Sequence, residues 1–508
     1  MRINFLILFT FSLFYWQFAT SQPLPDDSKR DYYYKIGCGP AFGYPGGSYL
    51  NFNQGPFTKG AAYLEYNLGI ESAGICDIYG NLLFNCNGTH VLDSTGHVMP
   101  HGDSINFGQV YSSYYQGVGY PIFQGVIILP KPMTTYLYYI FHIMLAIPQP
   151  VALGLSYSLV DMSLNNGLGD VVLKNQVVIT DTIQYGFLTA CRHGNGRDWW
   201  IILSEVGELS FNRILIDPEG IHVLDKQYVG DPVSGGNQRS GYASFSPDGT
   251  LYAQGYQIPY GPFAVDLFSF DRCSGFLYDY KGFTFTTPDY LDYFFDIEFS
   301  PNSKLLYAML DRNVYQFDVT SSNIAGSKQL IANLDGFIWM QSLTGFTQSQ
   351  LTPDNRIFIA AGGTPYIHII NYPDSSGTSC ALTQHSLLLN SQIYSTPNYP
   401  NFRLGRWVGS PCDVLIGKEN PEYELAKLSC FPNPVADNIS FELEMMNKNF
   451  QMKLEIYNLL SDKLGEVFTS PFQSIIHYNA SSLTNGIYVA VLKKEGKILT
   501  SCRFVVNK

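Results

Sequence analysis

The sequence predicts an all-β protein: a large propeller-like body followed by a small β-sandwich. Three observations predict it. Aromatic residues make up 15% of the 508 residues and charged residues only 14%, a balance that suits pleated, half-buried strands. A strand–turn–strand unit recurs through the body. The last eighty or so residues change to short strands of strict period two.

The repeat is clearest in three copies, 245–252 (FSPDGTLY), 299–307 (FSPNSKLLY) and 351–358 (LTPDNRIF). Each has an apolar strand end, a Pro-Asp or Pro-Asn turn and a second apolar strand. Proline presets φ for the turn, and Asp, Asn or Gly tolerates the conformation that follows. Pro247, Pro301 and Pro353 are spaced 54 and 52 residues apart, a period that fits a four-stranded propeller blade. Fainter copies occur at 192–200 (RHGNGRDWW), 126–139 (VIILPKPMTTYLYY) and 73–84 (AGICDIYGNLLF). These make six units. A seventh is expected to be shared between the ends of the body, with 401–405 as its inner strand and 48–52 and 62–66 as outer strands. The body, 31–417, is therefore expected to be a seven-bladed propeller, with six or eight blades as alternatives and an extended sandwich array disfavoured by the regular spacing.

At the N-terminus Arg2 precedes an apolar run from Ile3 to Phe18 and the small-residue stretch Ala19-Thr20-Ser21. This pattern is that of a secretory signal peptide, 1–21, cleaved after Ser21. The run is slightly short for a membrane span, and no transmembrane segment is expected after its removal. The formal net charge of −12 offers nothing to a phosphate backbone, so nucleic acid is not an expected partner. Nine cysteines in an exported chain permit disulfides, and the odd number leaves at least one unpaired within the chain. Cys380 and Cys412 flank the expected closing strand and form one candidate pair. Cys430 and Cys502, near the first and last strands of the terminal module, form another.

In that module, 425–508, Met452, Leu454 and Ile456 alternate with Lys453, Glu455 and Tyr457, so one face is buried and the other wet. Several such strands predict a small immunoglobulin-like sandwich. Three segments, 431–437 (FPNPVAD), 454–460 (LEIYNLL) and 482–489 (SLTNGIYV) with Gly496 and Lys497 behind them, resemble the type A C-terminal sorting domain of type IX secretion substrates of Bacteroidetes. Ser461 and Asp462 stand where that family usually has a glycine. The resemblance implies Sec export, recognition by the type IX machinery and a product that is secreted or held at the outer cell surface. The body is similar, at 78–84, 157–170, 398–405 and 410–413, to uncharacterised propeller proteins that carry this domain, a likeness that implies architecture only.

Chemistry is sparse. His97, His101 and Asp103 offer three metal ligands, although Pro100 and Gly102 make the segment a loop. His193, Arg197 and Asp198 cluster in one inter-strand turn and are the candidate acid–base group, weighed against ordinary turn chemistry. Asp296 and Glu298 alternate along one strand and could line a central channel and hold Ca²⁺; no other cofactor is expected. The favoured function is a non-enzymatic module that binds a glycan or protein. The alternatives are a secreted hydrolase or lyase with its site at one channel mouth, and a structural role in the cell envelope or in motility.

Overall fold

The computed structural model describes residues 27–508 apart from 39–45, 56, 116, 118, 147–150, 208–209, 231–239, 259–260, 289–291, 414–426, 445–450, 459–462, 471–472 and 495–496. The expected signal peptide and the polar stretch before the terminal module lie outside the described residues. Among those residues, no helix is long and apolar enough to cross a membrane.

Among the described residues, the body contains seven sheets of three to five strands and a two-stranded hairpin of Ile338–Trp339 and Ser342–Leu343, followed in the chain by the two sheets of the terminal module. Each sheet of the body is an antiparallel meander. The first comprises Tyr33–Ile36, Gly47–Asn51 and Thr58–Ala62, and the second Ala73–Cys76, Leu82–Cys86 and Val91–Asp93. The third runs from Val126–Pro130 to Asp170–Ile179, and the fourth from Ala190–Arg192 to Gly220–Tyr228. The fifth runs from Ser240–Phe245 to Phe276–Phe285 and gains a parallel two-residue strand, Tyr185–Gly186. The sixth runs from Phe294–Phe299 to Gln329–Asn333, and the seventh from Ser349–Leu351 to Leu382–Ile393.

All six repeat units coincide with the connection between the first and second strands of a sheet, the second to the seventh. The three clearest share one turn chemistry. Ser246, Ser300 and Thr352 donate their hydroxyls to Asp248 Oδ1, Asn302 Oδ1 and Asp354 Oδ1 at 2.6, 2.8 and 2.6 Å. Ser246 and Ser300 Oγ also accept the N–H of Leu251 and Leu305, the first residue of the next strand. The fifth residue of each motif, Gly249, Ser303 or Asn355, has φ of +72°, +61° or +62°, which explains its small or amide-bearing side chain.

Apolar side chains facing between sheets make shared cores. Trp200, Ile202 and Phe211 of the fourth sheet pack with Ala243, Tyr252 and Phe268 of the fifth. Val265 and Leu267 of the fifth pack with Phe299 and Leu306 of the sixth. Tyr307 and Met309 of the sixth pack with Ile357 and Ile359 of the seventh. One continuous cluster joins Phe358 and Ile367 of the seventh sheet to the first, second, third and fourth. Face-to-face sheets that share cores all the way round are the propeller arrangement.

The closing unit differs from the expected one. Residues 401–405 form no strand. The first sheet is built entirely from the N-terminal region, with Tyr33–Ile36 paired to Gly47–Asn51 and the outer strand at Thr58–Ala62 rather than 62–66. The reason is that 33–36 (YYKI) is itself a β-forming run, so no strand is needed from the far end. The first and seventh sheets are stitched by a buried serine and a backbone bond instead. Buried Ser48 Oγ accepts from Asn390 N at 2.9 Å and Ser391 N at 3.1 Å, and Cys38 N donates to Gln392 O at 3.1 Å.

The terminal module packs a three-stranded sheet of Lys427–Phe431, Asn438–Glu444 and Ile475–Asn479 with a four-stranded sheet of Lys453–Asn458, Lys463–Phe468, Gly486–Lys494 and Lys497–Val506. Met452, Leu454 and Ile456 are buried with Phe441, Ile476 and Phe504, as the alternation requires.

Replacing Ser48 with Ala removes the acceptor from two N–H groups, the buried one of Ser391 and the part-buried one of Asn390. The expected loss is about 2 kcal/mol, since each orphaned buried group costs roughly 1–3 kcal/mol. Denaturant unfolding measures it, and a change below about 0.5 kcal/mol, the usual scale of a neutral substitution, would mean that this stitch does not hold the ring.

Candidate functional site

The first strand of a sheet has one edge that its own sheet leaves unpaired, and buried backbone groups need partners. In the body those partners are polar side chains of neighbouring sheets. Glu71 Oε2 accepts from Gly125 N at 2.5 Å. Gln124 brackets Ala243, donating to its carbonyl at 3.0 Å and accepting its N–H at 2.9 Å. Asp296 Oδ2 accepts from Ser349 N at 2.6 Å and Ser349 Oγ at 3.0 Å. Glu298 joins three sheets, accepting from Ser244 Oγ at 3.1 Å, its neighbour Phe299 N at 3.0 Å and Leu351 N at 3.2 Å.

These strands surround a cavity of about 670 Å³, counting its open mouth, walled by the inner strands of the fourth to seventh sheets and by residues 398–404. Asp296 and Glu298 both line it, as period two requires. Burial raises both carboxyls, Glu298 to about 7 and Asp296 well above the usual carboxylate range, against the N–H donors that favour the charged form.

The segment 395–413 supplies the rest of the polar contacts. Asn398 Nδ2 donates to Val126 O and Leu188 O, both at 2.9 Å, and Asn398 N donates to Ser72 O at 2.8 Å. Tyr399 OH donates to Tyr33 O at 3.1 Å, and Tyr399 N donates to Gln350 Oε1 at 3.3 Å. Asn401 Nδ2 donates to Pro247 O at 2.8 Å. Arg403 pairs with buried Asp31 at 2.5 Å. Phe402 packs edge-on against Trp199. Trp407 N donates to Gly194 O at 2.7 Å. This one segment thus touches the first, second, third, fourth, fifth and seventh sheets.

The segment ends in a disulfide between Cys412 and Cys273. Cys412 is therefore bonded to Cys273, not to Cys380, as its position in the sequence suggested. Cys380 is a buried free thiol beside Tyr307. The turn 192–198 lies against the bridge. His193 Nε2 contacts Cys273 O at 3.0 Å, and a Cβ on Gly194 would strike both bridge sulfurs. Cys430 and Cys502 lie close enough to interact and are free thiols; burial, then Cys430, raises the Cys502 thiol to about 12.

The structure brings His193, Arg197 and Asp198 together, in bonds that hold the turn. Arg197 clamps Asp198 through Nε at 2.7 Å and an Nη at 3.0 Å. Asn195 donates to Asp198 Oδ2 at 2.6 Å. His193 Nδ1 accepts from Asn195 N at 3.0 Å, so Nε2 carries the proton given to Cys273 O. Burial lowers the imidazole pKa despite the attraction of Asp198. The same turn packs Arg192 on Trp199, 4.0 Å from the ring centre, and pairs it with Asp27 at 3.0 Å.

His97, His101 and Asp103 are dispersed. His97 faces Glu65 at 3.5 Å, His101 pairs with Asp170 at 2.8 Å and Asp103 pairs with Lys174 at 3.2 Å. Among the described residues, the group whose ligand atoms do converge is Asp217, Glu219 and His222 on an exposed hairpin of the fourth sheet. There Asp217 Oδ1 already accepts from Glu219 N, Gly220 N and His222 Nε2.

Residues 429–507 match the family model of the secretion system C-terminal sorting domain. This is the type IX sorting domain, and it marks the protein as secreted or held at the outer surface. No curated protein matches the chain. Solved structures similar to it include a Bacteroides fragilis NCTC 9343 protein provisionally titled a 6-phosphogluconolactonase, at 14% identity, covering 74% of this chain and 98% of that one with a TM-score of 0.44. The Pseudomonas aeruginosa periplasmic gluconolactonase PpgL is 10% identical, covering 73% and 97% with a TM-score of 0.35. The Myceliophteria thermophila Cps50 (Swd1) β-propeller domain is also 10% identical, covering 62% and 87% with a TM-score of 0.36. The chain's own sheets and shared cores make the propeller arrangement.

The lowered His193 pKa has a definite sign. Above its ordinary value of 6.5 the ring is neutral in both folded and unfolded chains. As pH falls below 6.5 the unfolded chain takes the proton first, so stability is lost on acidification. Unfolding free energy measured from about pH 7 to about pH 5 should fall less steeply in His193→Asn than in the wild type. Parallel slopes would contradict the neutral, bonded imidazole.

Proposed function

We propose that the body, 31–417, is a seven-bladed propeller acting outside the cell as a non-catalytic binding module for a protein or glycan. Its ionisable interior groups support this reading. Glu71, Asp296, Glu298, His193 and Arg403 are each engaged by neighbouring sheets or by the closing segment, so moving any of them for chemistry would unpair buried backbone or charge. Contact surface is available elsewhere. Tyr79, Tyr228, Tyr293 and Tyr372 are largely exposed, and aromatic residues with polar tips suit such contacts.

A hydrolase or lyase reading draws support from one observation, a Glu298 carboxyl raised to about 7 beside an open cavity. Screening the secreted protein for binding and for hydrolysis of polysaccharides and matrix proteins separates the two. Retained hydrolysis that disappears in Glu298→Gln would replace the binding reading.

The export route has its own test. A chain ending at Glu424 lacks the sorting domain and should accumulate in the periplasm rather than in the medium or on the surface, as read by immunoblots of cell fractions. Undiminished release would show that the domain is not the export signal.

A further inference from the structure

We propose that the axial cavity is a binding site for a hard divalent cation, with Ca²⁺ the best fit, held by Asp296, Glu298 and Gln348. The site is separate from the ligand surface proposed above, and neither reading depends on the other.

Charge balance comes first. The charged side chains lining the cavity are Arg192, Arg403, Asp296 and Glu298. Each arginine has a carboxylate of its own, Asp27 for Arg192 at 3.0 Å and Asp31 for Arg403 at 2.5 Å. Among the described residues neither Asp296 nor Glu298 has a salt-bridge partner; Arg403, committed to Asp31, acts on Glu298 without bonding to it, so a bound cation would supply the compensation that burial otherwise forces these carboxyls to find by protonation.

Lone pairs come second. A carboxylate has about four acceptor sites. Asp296 uses three, for Ile297 N on Oδ1 and for Ser349 N and Oγ on Oδ2. Glu298 also uses three, for Ser244 Oγ and Phe299 N on Oε1 and for Leu351 N on Oε2. One acceptor site remains on Asp296 Oδ1 and one on Glu298 Oε2. The existing bonds fix both carboxylates in place, as orienting partners fix metal ligands.

The third observation is independent of the acids. Gln348 lines the same cavity, is 3% exposed, and its carbonyl Oε1 is buried without a hydrogen-bond partner. It directly precedes Ser349, which holds Asp296, so the orphaned acceptor belongs to the same wall. Two carboxylate oxygens and one amide oxygen form an all-oxygen set that leaves positions for water. That is the preference of Ca²⁺, which accepts irregular geometry, rather than of Mg²⁺. A protein delivered outside the cell meets Ca²⁺ at the concentrations to which extracellular sites respond.

The test is calorimetric titration of the chelator-treated full chain with CaCl₂, paired with thermal unfolding. The wild type should bind one Ca²⁺ with Kd of roughly 10⁻⁴–10⁻³ M, the range of extracellular modules, and unfold at a higher temperature when loaded. Glu298→Gln should abolish binding. Gln348→Ala, which removes a neutral side-chain amide and keeps the carboxylate bonds between sheets if Glu298→Gln fails to fold, should weaken binding about tenfold through loss of one ligand. Glu219→Gln, in the exposed Asp217 cluster, should leave it unchanged. No binding by the wild type up to about 10 mM, well beyond the extracellular range, would overturn the proposal. So would binding that survives Gln348→Ala intact, or that is lost in Glu219→Gln.

Discussion

The inner strands of the body carry backbone edges that their own sheets leave largely unpaired, the fifth gaining only the two-residue strand Tyr185–Gly186, and the architecture depends on how those edges are satisfied. Seven separate meanders have ample apolar surface to pack against one another, but apolar packing is not directional and does not satisfy a buried N–H. The partners are carboxylates and amides reaching from one sheet to another, together with a segment at the end of the body that bonds six of the seven sheets. Asn398 alone joins the first strand of the third sheet to the segments that lead into the second and fourth, through its N–H and its side-chain amide. The Cys273–Cys412 bridge fastens the far end of that segment.

This constraint explains the character of the interior. A buried carboxylate that accepts several N–H groups organises neighbouring strands even when burial resists its ionisation. Glu71 serves the third sheet, and Glu298 serves the fifth and seventh while belonging to the sixth. The residues that read as chemistry in one dimension, the Arg192–Asp198 turn above all, serve the same end in three. That turn seats the disulfide and the closing segment, and its histidine is committed at both ring nitrogens.

Much of the fold was readable in the sequence because the repeat is a property of local turns. The Ser/Thr-Pro-Asp/Asn connection encodes its own hydrogen bonds, so its period marked the sheets without tertiary information. The sandwich module was readable because its alternation directly specifies one buried face, and its three motifs name the secretion route. The closure was not readable. Residues 401–405 look like a strand end, yet their polar groups are consumed by distant backbone and side chains, which no local pattern reports. The Cys273–Cys412 bridge likewise joins positions separated by 139 residues, and sequence position favoured the wrong partner for Cys412. Asp296 and Glu298 were visible as a same-facing pair, whereas their neighbours Gln348 and Arg403 come from other segments. The density of Asn, Tyr and Arg in 398–403 (NYPNFR) was the available signal, since such a run in a strand would waste its hydrogen-bonding capacity.

If the closing segment is the element on which the body depends, its backbone must open only when the body opens. Hydrogen exchange of the full chain followed by mass spectrometry reads this directly at the bonded amides of Asn398, Tyr399 and Trp407, compared with those of Ala243, Ser349 and Leu351 on the inner strands. Protection of the two sets to a similar degree, reaching the slowest class in the body, is the predicted result, because globally opening groups share one free energy. Exchange of 398–407 as fast as an exposed loop, with the inner strands still protected, would show that the segment is an accessory on a ring that stands without it.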